Sequence, residues 1–283
     1  MTLSTLDEFV AEVAELRPLP AAAVRVLRIA EGQRFSAHEL AQAIGADQVL
    51  TAKLLRLANS AYYGFARQIT TVRDAVVLLG FRAVRSAALA SSVIDALPGS
   101  VNLDYEEMWR YSVTVGMLAE VLARARGRHQ DEAFTAGILH NIGRLALDQH
   151  RPEALQTARA LAEQRAISIW EAERLLLGFT DAQLGAGLAL LWNFPEELVE
   201  AVLHQELDVD DLPDPDSLAA YIVRARLFAR SRGISDGLEP VHVGAPSGEW
   251  LMQPISGSLS RAGGMDGIEE RVRAFVDAAI GRP

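Results

Sequence analysis

Signals for the start of a helix recur along this 283-residue chain, and they constrain its fold more than any other feature. Three of them fit the capping box, in which a hydroxyl and a carboxylate satisfy free backbone amides at a helix start. These are Thr5 with Glu8, Ser36 with Glu39, and Ser168 with Glu171. Prolines suit first turns because the missing amide costs little there, and Pro20, Pro152 and Pro195 precede helix-forming segments. Sustained period-two alternation is hard to find, so we predict an all-α fold of about a dozen helices.

Changes in composition divide the chain into three predicted parts. Residues 1–100 form an N-terminal helical lobe, which ends at Leu97-Pro98-Gly99-Ser100, a sequence typical of a loop. Residues 101–232 form a second helical bundle. Residues 233–283 are rich in Gly, Pro and Ser, and they end in an amphipathic helix predicted from Gly267 to Ile280. Within this last part, Trp250 and Leu251 are the side chains we expect to dock on the body.

Charge and composition exclude several classes of function. The formal net charge is -10, from 27 Lys and Arg against 37 Asp and Glu, and no dense basic run offers a footprint for phosphates. There is no cysteine, which excludes disulfides, thiolate ligands and a cysteine nucleophile. The most apolar stretch, residues 75–97, contains Arg82, Arg85 and Asp95, so it predicts two buried helices joined near Gly80 rather than a membrane span. We therefore expect a soluble, cytoplasmic protein with no membrane partner, for which nucleic acid is a disfavoured ligand.

The sequence around His140 and Asn141 carries the strongest indication of function. It lies in a segment that predicts one long helix from about Asp131 to Asp148. Adjacent His and Asp residues on a helix can bind a divalent cation that activates water. Here Asn141 offers a neutral carbonyl oxygen in place of the carboxylate, which favours a regulatory protein over an enzyme.

Two segments resemble a known family. Residues 132–145 resemble the central helix of the HD phosphohydrolase superfamily. Residues 44–64, which include the string Leu57-Ala58-Asn59-Ser60-Ala61-Tyr62-Tyr63-Gly64, together with Ile69 and residues 75–80, resemble the HDOD family, the signalling branch of that superfamily. The resemblance covers roughly residues 16 to 230. It implies an HD-like helical bundle with an N-terminal helical lobe, and a domain that commonly lacks the full set of metal ligands.

The resemblance also indicates which residues occupy the metal positions of a catalytic HD protein. They are Tyr111, His140, Asn141, Asp181, His204, Gln205 and Arg226. The two histidines match the family pattern and Asp181 could substitute for a ligand, whereas the other positions have lost theirs. An arginine at such a site opposes a cation by like-charge repulsion. We therefore predict a vestigial pocket with no metal, no cofactor and no catalytic residue, in which Asn141 is a structural hydrogen-bonding group near His140.

The resulting prediction is a non-catalytic HDOD regulator that acts through contacts with other signalling proteins. Gating by a small or nucleotide-like ligand is left open. One alternative is a residual metal-dependent phosphohydrolase or cyclic-dinucleotide phosphodiesterase. A further alternative is DNA binding by residues 36–63, which have the outline of a helix-turn-helix carrying Lys53 and Arg56. Four leucines on the second helix, at positions 50, 54, 55 and 57, favour packing over base contact.

Overall fold

The computed structural model describes residues 5–30, 37–65, 67–127, 130–212, 214–236, 238 and 257–280. These residues contain fifteen α-helices of at least eight residues and no strand, which confirms the predicted all-α class. The helices are α1 (Leu6–Leu16), α2 (Ala21–Ala30), α3 (Ala37–Gly45), α4 (Gln48–Ala58), α5 (Val72–Leu79), α6 (Phe81–Ala96), α7 (Tyr105–Arg126), α8 (Gln130–Leu139), α9 (Ile142–His150), α10 (Pro152–Arg165), α11 (Ile169–Leu177), α12 (Asp181–Leu191), α13 (Glu196–Leu203), α14 (Leu218–Ser231) and α15 (Gly264–Ile280). Short 3-10 turns occupy His204–Glu206 and Val209–Asp211.

The predicted helix starts are largely where the capping signals indicated. Thr5 and Glu8 form a complete capping box at α1, and Ser168 caps α11 by accepting from the amide of Glu171. A second complete box at α12, formed by Thr180 and Gln183, was not predicted. Ser36 lies outside the described residues. Side-chain caps satisfy amides that the first helical turn leaves free.

Helix α7 is the centre of the molecule. It packs against α8, α14 and α15, and most of its residues from Met108 to Ala123 are buried. One apolar core extends from α1 to α15, while a small second cluster joins α10 and α11 around Trp170. The predicted C-terminal helix begins three residues earlier than expected, at Gly264. The predicted docking of Trp250 and Leu251 lies outside the described residues. No helix in the described part of the chain is both long enough and apolar enough to span a bilayer.

Two close contacts between glycines bring together the helices that carry the candidate site. A Cβ added to Gly137 would lie 2.2 Å from the Cα of Gly116, so the backbones of α8 and α7 touch. A Cβ added to Gly143 would lie 1.9 Å from the carbonyl oxygen of Asp181, so α9 and α12 also touch. Neither approach is compatible with a larger side chain, because no real Cβ sits this close to another backbone.

The motif at residues 57–64 has a structural role, which is to hold the loop that follows α4. The side chain of Asn59 donates to the carbonyl oxygens of Leu55 and Ile69, at 2.8 and 2.7 Å, and accepts from the amide of Ile69 at 2.7 Å. It thereby fastens the loop that follows α4. Gly64 has a φ of +64°, and it ends the turn after Ser60 rather than α4 itself, which ends at Ala58.

The leucine face of α4 is buried, as the packing interpretation required. Leu50, Leu54 and Leu57 are at most 4% exposed, and α15 packs against the same helix. Lys53 forms an ion pair with Asp95 of α6. These contacts favour a structural role for α4 over insertion into a DNA groove.

The apolar stretch at residues 75–97 forms two helices, α5 and α6, joined at Gly80 with a φ of +90°. The prediction that both are buried is wrong for α5. Its residues Val77 and Leu78 are 75% and 48% exposed, because only one face of this short helix packs on the body.

Candidate functional site

The helix that carries the His140 motif is broken, which corrects the prediction of one helix from Asp131 to Asp148. Helix α8 ends at Leu139 and α9 begins at Ile142, with Asn141 between them at φ -101° and ψ 10°. A break leaves carbonyl groups at the end of the first helix without partners. The side-chain amide of Gln205 donates to the carbonyl oxygen of His140 and satisfies one of them.

His140 is fully buried and held in one orientation. Its Nδ1 lies 2.5 Å from the carbonyl oxygen of Gly137, and its ring lies 5.5 Å from that of Tyr111. A carbonyl oxygen only accepts, so Nδ1 carries the proton and Nε2 is unprotonated in the neutral ring. Burial, and next the charge of Arg226, lower the pKa of His140 to about 3. The ring is therefore neutral at physiological pH.

Arg226 of α14 links the His140 region to the neighbouring helices. Its guanidinium donates to the carbonyl oxygen of Gln205 and lies over the ring of Trp170, 4.6 Å from the centroid. Trp170 in turn donates its Nε1 proton to Asp181 at 2.7 Å. Arg226 is 7% exposed and Trp170 is 8% exposed. A cation stacked on an indole ring inside a protein is stabilised by the negative face of the ring.

Asp181 and Asp236 hold the second arginine of the cluster. Arg144 of α9 donates from Nε to Asp181 and from Nη1 to Asp236, and the side chains of all three are at most 6% exposed. Burial alone would raise the pKa of Asp236, but the charge of Arg144, the amide of Leu238 and the charge of Arg226 lower it below its usual value. Asp236 is thus a carboxylate held by two arginine charges.

Glu173 is the one acidic group of the cluster that the environment disfavours as an anion. Its Oε2 accepts from the backbone amide of Asp181 at 2.7 Å, whereas its buried Oε1 has no hydrogen-bond partner among the described residues. Burial and then the charge of Asp181 raise the pKa of Glu173 well above its usual value. Because one carboxyl near another is costly to ionise, Glu173 holds its proton more tightly than a free glutamate does.

The chain matches the family model of the HDOD domain over residues 16–207. The chain belongs to the HDOD family. A Treponema pallidum protein with no characterised role is 24% identical over 192 residues, which cover 67% of this chain. This chain spans only 37% of the length of that relative.

Solved structures of HDOD-like proteins share the fold. An HDOD domain protein of unknown function from Geobacter sulfurreducens is 25% identical, with a TM-score of 0.77 over 95% of this chain and 96% of its own. A Shewanella amazonensis SB2B protein, whose name provisionally assigns it to the phosphohydrolases, is 28% identical, with a TM-score of 0.76 over 95% of this chain and 97% of its own. A Marinobacter aquaeolei VT8 protein, provisionally named for signal transduction, is 24% identical with a TM-score of 0.69, over 99% of this chain and 61% of its own.

The structure brings most of the predicted HDOD pocket residues together. Tyr111, His140, Gln205, Arg226 and Asp181 belong to one chain of contacts that runs through Trp170. His204, by contrast, is half-buried in a 3-10 turn, and no hydrogen bond or ring contact of its imidazole with this cluster is present among the described residues.

Two expectations for individual residues need correction. Asn141 was expected to hydrogen bond, but its Nδ2 is buried with no partner among the described residues, and its side chain does not cap α9. Its backbone conformation at the helix break is what positions it. Asp181 was a candidate substitute ligand, yet one of its oxygens accepts from Trp170 and the other from Arg144.

The residues that the resemblance assigns to the metal positions do not fit a divalent cation. A metal site needs several anionic or imidazole ligands that converge on one point. In the described ranges there is no group of three or more His, Asp or Glu side chains that could hold a metal. The Nε2 of His140 is available, but the charge of Arg226 acts on that ring and Arg144 occupies Asp181.

Four residues of the cluster were not predicted from the sequence: Arg144, Trp170, Glu173 and Asp236. A signal existed for Arg144, because it stands three residues after Asn141 and a charged residue in so apolar a segment requires a partner. Asp236 offered no signal, since it lies just beyond Gly233 in the part of the chain interpreted as a tail.

Proposed function

We propose that this protein is a non-catalytic HDOD regulator that acts through contacts with other signalling proteins in the cytoplasm. One observation carries the proposal: buried arginine charges lie among the residues that the family resemblance assigns to the metal positions. The charge of Arg226, which the resemblance assigns to a metal position, acts on His140, and Arg144 bonds the carboxylate of Asp181.

Burial of the cluster supports the same proposal. The side chains of Tyr111, His140, Asp181 and Gln205 are at most 3% exposed, so a substrate would have to displace packed side chains to reach them. Metal-dependent hydrolysis requires an activated water and an open coordination position. A buried network of ion pairs contributes structural specificity instead, because each charge is satisfied in only one arrangement.

Exposed apolar side chains support a role in protein contacts. Val77 and Leu78 stand side by side on α5, and Leu190 and Leu191 stand side by side at the end of α12, each between 48% and 75% exposed. Neighbouring large apolar side chains at a surface are typical of protein contact sites. The α5 pair lies within residues 1–100, the predicted N-terminal lobe.

The alternative function is metal-dependent phosphohydrolysis, which the name of the Shewanella amazonensis neighbour suggests for that protein. The experiment that separates the two is elemental analysis of protein expressed with added Mn, Fe and Zn, together with assays on bis-p-nitrophenyl phosphate and cyclic dinucleotides. We expect less than about 0.1 metal equivalent and no hydrolysis above a buffer control. One or two equivalents that disappear in His140→Ala, or activity abolished in His204→Ala, would establish the enzyme instead.

The contact surface is tested by affinity capture followed by mass spectrometry. Partners captured by the native protein should be lost with Val77→Asp/Leu78→Asp and retained with Val101→Asp, which changes another exposed apolar residue that is 62% exposed. Equal capture by both variants would contradict the assignment of the surface to α5.

A further inference from the structure

A second polar site lies away from the His140 cluster. A partly enclosed cavity of about 470 Å³ lies where α7 and α8 meet the loop after α4 and the segment that leads into α15. It shares no lining residue with the cluster described above. Its polar and aromatic walls come from Tyr62, Tyr63, Ser86, Glu120, Arg124, Gln130, Asp131, Arg261 and Arg271. Sites of 300–1,000 Å³ are the usual size for small organic ligands.

Three guanidinium groups line this cavity, and they are held in place. Arg124 donates to Glu120 and, at 3.1 Å, to the side chain of Gln130. Arg271 lies 4.0 Å from the other oxygen of Glu120. Arg261 donates to Ser258 at 2.9 Å. Guanidinium groups already fixed by neighbours bind phosphate or carboxylate oxygens with little further loss of entropy.

The charges of the lining residues favour an anion. Three arginines face two carboxylates, Glu120 and Asp131. The positive charges therefore outnumber the negative ones in the lining, and burial raises the pKa of both carboxyl groups. A ligand with negative charge would offset this excess.

Aromatic rings form one wall of the cavity. Tyr62 packs edge-on against Tyr63, with ring centroids 4.5 Å apart, and against Phe275 of α15 at 5.4 Å. Arg271 lies 4.8 Å over the Tyr62 ring. Aromatic side chains next to arginines stack planar rings, as in proteins that bind nucleobases. Tyr63 is only partly buried and lines the cavity.

We propose that this cavity binds a phosphorylated small molecule that carries a planar ring, of the size of a mononucleotide. Arg124, Arg261 and Arg271 bind the phosphate, and Tyr63 stacks on the ring. The cavity lies between the loop after α4, helix α6, the α7–α8 pair and the α15 segment. A bound ligand therefore ties α15 to the body of the protein.

The test is isothermal titration calorimetry of the full chain with AMP and GMP, each paired with its nucleoside, and with inorganic phosphate. We expect at least one nucleotide to bind at least about tenfold more tightly than its nucleoside and than phosphate. Arg124→Gln should weaken that binding by about tenfold or more. The matched control is Arg110→Gln, because Arg110 lies on the same helix, forms the same kind of i,i+4 pair, with Glu106, and is 49% exposed against 48% for Arg124.

A second variant tests the cavity independently, in case Arg124→Gln fails to fold. Ala83 lines the cavity from α6, and Ala83→Leu fills part of the cavity without a change of charge. It should also abolish binding, and in the native protein the nucleotide should slow hydrogen exchange of residues 264–280. Absence of binding by both nucleotides at millimolar concentration, equal binding by the nucleosides, or binding that survives both variants would overturn the proposal.

Discussion

Arg144 and Asp181 form an ion pair across α9 and α12 in which each side chain is 2% exposed. The pair sits beside the contact of Gly143 with the Asp181 backbone, so backbone packing and charge pairing fix the same two helices. A buried pair of this kind stabilises little by itself, but loss of Asp181 leaves the Nε of Arg144 buried without its acceptor, although Nη1 keeps its bond to Asp236. We therefore expect substitutions at the contact between α9 and α12 to destabilise the protein.

Removal of Asp181 should be strongly destabilising. We expect Asp181→Ala to lower the free energy of unfolding by about 2–6 kcal/mol, because Arg144 Nε and Trp170 Nε1 both lose their acceptor and each buried donor left unsatisfied costs about 1–3 kcal/mol. Urea unfolding followed by circular dichroism measures the change. Glu163→Ala is the control, since its pair with Arg159 is exposed at the surface and such pairs contribute at most about 1 kcal/mol. Similar losses in both variants would contradict this account.

Ionisation of Glu173 should weaken the fold as pH rises. The folded-state pKa is raised above the usual value of 4.5, so its contribution to stability is complete below that pH and is lost as pH rises through the folded-state pKa. Glu173→Gln keeps the shape and cannot ionise. Urea unfolding between pH 5 and 9 should therefore show that the free energy of unfolding of the variant rises relative to that of the native protein as pH increases. Glu171→Gln, on the same helix but exposed, should show no such gain.

Protonation of His140 should weaken the fold as pH falls. Its pKa falls from 6.5 to about 3 on folding, so its contribution to stability is present above pH 6.5 and is lost as pH falls toward 3. The expected slope in that window is about 1.4 kcal/mol per pH unit. His140→Gln should remove this slope from urea melts between pH 4 and 7. An unchanged slope would show that the imidazole is protonated inside the fold.

The fold was predictable because its determinants are local. Capping residues such as Thr5 and Ser168 act within one helical turn, so the sequence shows them directly. The break at Asn141 was not visible, because the segment on both sides of it is rich in helix-forming residues and tertiary contacts override propensity. Gln205 and Gly143 stabilise the break only once distant helices have met.

The sequence predicted several of the residues of the candidate site, but it did not predict the contacts between them. The family resemblance located His140, Gln205 and Arg226, which are in contact in the structure. It could not show that Arg144 reaches Asp236, since 92 residues separate the two partners. Long-range pairs of this kind depend on the packing of helices, which no single stretch of sequence encodes.

A side chain at Gly143 should disrupt the packing of α9 against α12 and with it the candidate site. A Cβ there would lie 1.9 Å from the Asp181 carbonyl oxygen and 2.4 Å from the Gly185 amide, both of them backbone atoms that cannot rotate away. We expect Gly143→Ala to cost about 1–3 kcal/mol or more, as overpacking does. Gly45→Ala, where nothing lies within 4 Å, should be neutral or stabilising by about 0.5–1 kcal/mol. Thermal melts of the two variants provide the comparison.

Asn141 contributes less to stability than its position suggests. Its Nδ2 has no partner among the described residues and its side chain does not cap α9, so Asn141→Ala should cost less than about 1 kcal/mol rather than the amount of a lost buried hydrogen bond. Urea unfolding measures this cost directly. A loss of about 2 kcal/mol or more would show that the amide makes a bond in solution.

Restoring the carboxylate at this position should not restore a metal site. Asn141→Asp places His next to Asp, but Tyr111 and Arg226 remain at two other positions that the resemblance assigns to metal ligands, and Asp181 is still bonded to Arg144. The arginines would draw the new carboxylate into an ion pair rather than leave it free for a cation. We expect elemental analysis to find no gain in metal over the native protein and over Asn141→Ala, and no phosphodiesterase activity. Tight, stoichiometric metal binding by Asn141→Asp alone would mean that the arginines do not close the site, and the regulatory proposal would lose its principal support.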